Sequence, residues 1–293
     1  QILHMLTPLN QMSPFDVNAL KELWQAVFLD SAQEIDRFFD HFYAPERTVA
    51  LTDGGSLAAM AHLLPVGNLL LGEREHSCAM VYAVASDPAL RGRGYGRCVT
   101  EQACLRAQAL GYDAVVLPPA SPPLFSFYES LGFTPFFSSC TVPLNRQSPA
   151  TSGEVSLRRV PAKEYVQLRR AFLQGSVYID FTPHALAYQE MLCGDAGGLF
   201  AAEQGGVPIG CAIIEGDGAG ISVRELLCHK ENFGTVSATL NRAFSSAKTI
   251  VVRAPEWAVP SGLGSSLPFG MLRSFTPLDI PRNAVKWYGP AFD

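Results

Sequence analysis

The sequence predicts an α/β chain of the α+β kind, with a mixed, mostly antiparallel sheet flanked by helices and laid down twice. Three observations carry this. Short apolar, β-branched runs separated by glycine turns read as strands of hairpins, for example Thr48-Val49-Ala50-Leu51 and Ser56 to Leu64 around Asp53-Gly54-Gly55. Apolar residues spaced three and four apart mark amphipathic helices. The order helix, helix, hairpin, strand, helix, strand occurs once in residues 1–146 and again in residues 150–293. With 293 residues, 48% of them hydrophobic, the chain has enough material for two ordinary domains. The polar stretch Asn145 to Gly153, with Pro149, is the expected linker.

In order, Val17, Leu20, Leu23, Trp24, Val27 and Phe28 define a first helix started by Ser13-Pro14, and Ile35, Phe38, Phe39 and Phe42 a second. The hairpin follows, then a strand Asn68 to Leu71, a turn at Gly72-Glu73, and a strand ending Val81-Tyr82-Ala83-Val84-Ala85-Ser86. Beyond Asp87-Pro88 comes a basic, glycine-spaced loop, a helix from Cys98 to Leu110, the strand Asp113 to Leu117, and a helix containing Tyr128. Phe133 to Phe137 and Ser139 to Leu144 read as the last strands of this half. The second half reads as strand Val155 to Leu157, helices Lys163 to Leu173 and Pro183 to Leu192, a three-strand meander (Leu199 to Ala202, Ile209 to Ile214, Ile221 to Leu227), a helix from Asn232 to Phe244, and strand Thr249 to Val252. Pro255 to Pro268 reads as an excursion, and the segments at Phe269 and Lys286 as closing strands.

The loop Arg91-Gly92-Arg93-Gly94-Tyr95-Gly96-Arg97 carries the chemistry. Its glycines permit positive φ and close approach of a ligand to the main chain, and a helix starting near Gly96 adds unpaired N–H groups and a positive dipole end. With three arginines, this suits a phosphate or pyrophosphate. It lacks a Gly-Lys-Ser/Thr ending and the spacing of the dinucleotide fingerprint, so neither of those loops applies.

Arg91-x-x-Gly94-x-Gly96 after a proline turn resembles the acetyl-coenzyme-A pyrophosphate loop of the GNAT N-acetyltransferase superfamily. Downstream, Tyr128, Gly132 and Phe133 keep the register of that family's second motif, with Ser121 and Leu124 where it usually has Asn and Ala. The resemblance implies the GNAT fold and direct transfer of an acetyl group from acetyl-coenzyme A to a primary amine. It places the pantetheine arm along Val84, Ala85 and Ser86, the pyrophosphate on residues 91–97, and Tyr128 as general acid for the leaving thiolate; Ser121 joins the cofactor-binding set. Some relatives have a Glu on the central strand as base, where this chain has Met80 and, on the same face, Tyr82. Glu73, Glu75 and His76 are alternatives; so is Asp293, since tandem relatives of the enhanced-intracellular-survival type use a terminal carboxylate. Aligning Gly234 with Gly96 sets His229 to Asn232 against the loop, so the second module is expected to be degenerate and to bind no coenzyme A.

Composition narrows the rest. A formal net charge of −5 and a pI near 5.7 argue against nucleic-acid or anionic-membrane partners. Seven scattered cysteines without a Cys-x-x-Cys pair disfavour disulfides, and no histidine spacing marks a metal site, so none is expected. With no visible signal peptide or membrane-span run, a cytoplasmic protein is expected. Between residues 14 and 47 seven acids (Asp16, Glu22, Asp30, Glu34, Asp36, Asp40, Glu46) face three bases, a rim that would draw in a cationic amine. The acceptor, a small molecule or a peptide amine, stays open, as do a regulatory acyl-coenzyme-A binder and a longer-chain acyltransferase.

Overall fold

The computed structural model describes residues 14–145, 155–216 and 220–293. The expected linker, Asn145 apart, lies outside the described residues. The chain forms two units. The first takes its described residues from Gln1–Pro65, Ser77–Thr134 and Leu272–Leu278, the second from Val66–His76, Pro135–Met271 and Asp279–Asp293. The division expected from sequence is consecutive; these units interleave along the chain.

The first half runs α1 (Pro14–Phe28), α2 (Ala32–His41), β1 (Thr48–Asp53), β2 (Ser56–Leu71), β3 (Arg74–Ser86), α3 (Tyr95–Ala109), β4 (Ala114–Leu117) and α4 (Pro123–Glu129). Helix α2 starts where the sequence supplies a reciprocal cap. The Glu34 N–H donates to Ser31 Oγ while the Ser31 N–H donates to Glu34 Oε2 at 2.8 Å, and Ile35, Phe38 and Phe39 fall on the buried face. The strand order is β1-β2-β3-β4, antiparallel from β1 to β2 and parallel from β3 to β4. The separate strand expected at Asn68 to Leu71 is the end of the continuous β2. At Gly67 the φ of +149° brings the main chain so close to Asp180 that a Cβ would lie 2.0 Å from its carbonyl oxygen, which only glycine avoids.

The remaining elements are β5 (Thr134–Pro143), β6 (Val155–Arg159), α5 (Ala162–Phe172), β7 (Val177–Phe181), α6 (Pro183–Leu192), β8 (Gly198–Gln204), β9 (Val207–Gly216), β10 (Gly220–Cys228), α7 (Phe233–Ala243), β11 (Thr249–Ala254), β12 (Ser265–Ser274) and β13 (Lys286–Trp287). Within the second unit the order β5-β11-β10-β9-β8-β6 covers a core that includes Val142, Ile214, Val223, Leu240 and Val252. The two strands expected between Phe133 and Leu144 are one, and β7, absent from the sequence reading, pairs antiparallel with Gly67 to Leu71 and parallel with β13.

Both halves place a pair of helices before three antiparallel strands, then a 3-10 turn, a helix and a strand parallel to the third of the three. The 3-10 turns, Pro88–Leu90 and Lys230–Asn232, are counterparts. In the first half four residues, Arg91 to Gly94, separate turn from helix; in the second, α7 begins at once with Phe233. The second copy thus lacks the loop outright, and His229 to Asn232 match Asp87 to Leu90 instead of the loop.

Candidate functional site

Strand β3 delivers the chain to the site. Its parallel pairing with β4 is confined to Cys78–Met80, so no described strand pairs with Val84, Ala85 and Ser86 on that side. Ala83 has φ +50°, a conformation unusual for a residue with a Cβ, and breaks the alternation of the strand just before that segment. Asp87 then caps the 3-10 turn, its Oδ1 accepting the Ala89 N–H at 2.8 Å.

Gly92 and Gly94 take φ of +81° and +86°, and Gly94 is the N-cap of α3 with no side-chain cap. The first main-chain bond of the helix runs from the Cys98 N–H to the Gly94 carbonyl, so the N–H groups of Tyr95, Gly96 and Arg97 precede the ladder and have no intrahelical acceptor. These elements frame a cavity of about 390 Å³. Six of the seven expected loop residues line it (Arg91, Gly92, Gly94, Tyr95, Gly96, Arg97), together with Ser86, Leu90 and Phe127. A Cβ on Gly96 would stand 3.5 Å from Ser86 Oγ and 3.9 Å from Phe127, so a side chain there would fill the cradle. A phosphate-bearing ligand that needs main-chain donors fits this donor set.

The three arginines differ in their commitments. Arg93 turns to Asp53 at 3.3 Å, and Arg97 donates to Ser130 Oγ at 2.7 Å with Glu101 at 3.8 Å. Arg91 is exposed and, among the described residues, has no such partner.

Tyr128, on α4, is 8% exposed, with Phe127 and Phe133 packed edge-on at 5.0 and 5.7 Å. Burial pushes its phenol up to about 12, so it is protonated at neutral pH. Ser121 is exposed ahead of α4 and is not among the residues lining the cavity. Asp293 belongs to the second unit, 3.3 Å from both Arg224 and Arg253. Burial pulls its carboxyl up, but the two guanidinium groups outweigh this and hold it below the usual range. Glu75, also in the second unit, accepts from Asn68 at 2.9 Å.

Four of the seven acids counted between residues 14 and 47 already have local tasks. Asp30 accepts from the Trp24 indole at 2.7 Å, Glu34 caps α2, Asp36 pairs with Lys21 at 2.7 Å, and Glu46 with Arg47 at 3.3 Å. Sequence reading missed Leu90, Phe127 and Asp53. Phe127 adjoins a motif residue, whereas nothing in the sequence joins Asp53 to a loop forty residues on.

Residues 9–136 match the family model described as an acetyltransferase (GNAT) domain. That stretch of the chain is thus similar to GNAT acetyltransferase domains. Solved structures agree on the fold. A GCN5-related N-acetyltransferase from Anabaena variabilis superposes with a TM-score of 0.71 at 18% identity, covering 91% of this chain and 72% of that one. Another from Kribbella flavida gives 0.69 at 18%, covering 92% and 70%. Eis1 from Mycobacterium abscessus gives 0.61 at 13%, covering 90% and 72%. No curated protein matches the chain. Among the described residues, no helix is long and apolar enough to cross a membrane.

Proposed function

We propose that the protein is an acetyl-coenzyme-A-dependent N-acetyltransferase working through its first module. The observation that carries this reading is the 390 Å³ cavity in which glycine main chain, the uncapped start of α3 and the uncommitted Arg91 converge. In this reading the N–H groups of residues 95–97 and the Arg91 guanidinium hold the pyrophosphate, and the open edge of β3 at Val84, Ala85 and Ser86 pairs with the pantetheine arm. Ser121, outside the cavity lining, joins the cofactor-binding set only as the family resemblance implies.

A neutral amine attacks the thioester carbonyl, a C–N bond forms, and collapse of the tetrahedral intermediate breaks the C–S bond. Tyr128 gives its phenolic proton to the departing sulfur; the proton lost by the new amide nitrogen returns to the phenol through solvent. The Asp293 side chain is a poor base in this scheme, because two arginines stabilise its anion; the terminal carboxylate of the same residue is a separate group. A small-molecule or peptide amine is the acceptor class, and the site needs no metal ion for these steps.

The test is release of free thiol from acetyl-coenzyme A across a panel of polyamines, aminoglycosides, amino acids and peptides. At least one amine should raise release well above hydrolysis, and Tyr128→Phe should lower that turnover about tenfold or more at nearly unchanged coenzyme affinity. Binding without amine-dependent release would make the protein a regulatory acyl-coenzyme-A binder, and equal turnover in the variant would remove Tyr128 from the mechanism.

A further inference from the structure

Asp53 ends β1 at the tip of a tight hairpin whose two glycines have φ of +59° and +85°. Its Oδ2 accepts the Tyr95 hydroxyl at 2.8 Å and faces Arg93 Nη1 at 3.3 Å. Tyr95 is the first residue of α3, only 7% exposed, and lines the cavity; Arg93 lies in the middle of the loop. One carboxylate beside a hairpin turn therefore holds the loop and the start of α3 at two points.

On electrostatic grounds alone an acid beside an anion site is a disadvantage, since it repels the ligand and occupies a guanidinium. Its placement makes sense if it orders the loop. Residues 91–94 contain two glycines with positive φ, and such a segment loses much backbone freedom when it settles into one shape. A loop that is competent only part of the time binds its ligand more weakly by that fraction.

We propose that Asp53 is a positioning residue that holds the loop in its ligand-ready shape through Tyr95 and Arg93. This rests on the acetyl-coenzyme-A reading above and adds a residue that touches neither cosubstrate nor acceptor. The two possible effects of the carboxylate have opposite signs. If it acts only by its charge, its removal tightens coenzyme A binding; if it holds the loop, its removal loosens it.

The experiment titrates coenzyme A into wild type, Asp53→Ala and Tyr95→Phe by calorimetry, with thermal melts of each protein alone and kcat at saturating acetyl-coenzyme A for any amine turned over. Asp53→Ala should raise Kd about fivefold or more, with kcat within about twofold of wild type, and Tyr95→Phe should raise Kd about threefold. The double variant should be little worse than Asp53→Ala, because both changes break the same tie. Tyr95→Phe changes no charge and decides the matter should Asp53→Ala not fold. Unchanged or tighter binding in a folded variant overturns the proposal while leaving the acetyl-coenzyme-A reading intact; wild type that binds no coenzyme A overturns both.

Discussion

His62 on β2 is 2% exposed and lies 2.9 Å through Nδ1 from the Thr48 hydroxyl on β1. Thr48 already donates its one proton to the Ala44 carbonyl at 2.9 Å, so it must accept from His62, and Nδ1 carries the imidazole hydrogen. Nε2 is then a buried lone pair with no hydrogen-bond partner among the described residues, inside a cluster of Trp24, Phe38, Phe39 and Tyr43 with ring centroids 5.0 to 6.4 Å away. Burial pulls the imidazole from its usual 6.5 down to about 3. The unfolded chain therefore takes up a proton as pH falls below about 6.5, which the folded chain resists until about 3, and the stability present above 6.5 drains away through that window. Between pH 7.5 and 5, wild type should lose about 2 kcal/mol more than His62→Gln in urea unfolding. Equal losses would mean that the imidazole titrates normally in the fold. At this scale the sequence was a partial guide: the loop glycines and Tyr128 sit in motifs, but the tautomer of His62 and the grip of Asp53 depend on partners fourteen and about forty residues away in sequence.

At the scale of elements, helices and hairpins were legible because their signals are local: the three- and four-residue spacing of α1 and α2, the Gly turns of the β1–β2 and β8–β9 hairpins. Strand β7 was not, since Val177 to Phe181 is a short apolar run between two helices whose strand character comes from pairing with Gly67 to Leu71 and with β13. Strand β13 is itself only two residues long and is held by side chains. The Trp287 indole donates to Glu225 at 2.6 Å, and the same fully buried carboxylate accepts from Arg169 and Tyr165 at 3.0 Å. Arg169 also donates to the carbonyl groups of Ile179 and Tyr288, so one ion pair ties α5, β7, β10 and the tail of the second unit together. Either single change, Glu225→Ala or Arg169→Ala, strands a buried charge and should cost about 3–5 kcal/mol in urea unfolding, whereas Arg169→Met combined with Glu225→Leu should cost less than the sum of the two. Additive losses would show the pair to be two independent contacts.

For the whole molecule, the repeated order of elements was visible in sequence, and the interleaving of the two units was not, because which strands share a unit is set by long-range pairing. Between the 3-10 turn and the following helix the copies differ by four residues. The first half spends Arg91 to Gly94 on a loop between turn and helix, and the second runs straight from Asn232 into α7, where Phe233 is buried at the first helical position. On the proposed function, coenzyme chemistry therefore belongs to the half that has the loop. Titration of acetyl-coenzyme A into the intact protein by calorimetry reads this most directly: one molecule per chain, abolished by a bulky residue in place of Gly96, is the result expected. No heat of binding, two molecules per chain, or undiminished binding after Gly96→Val would contradict it.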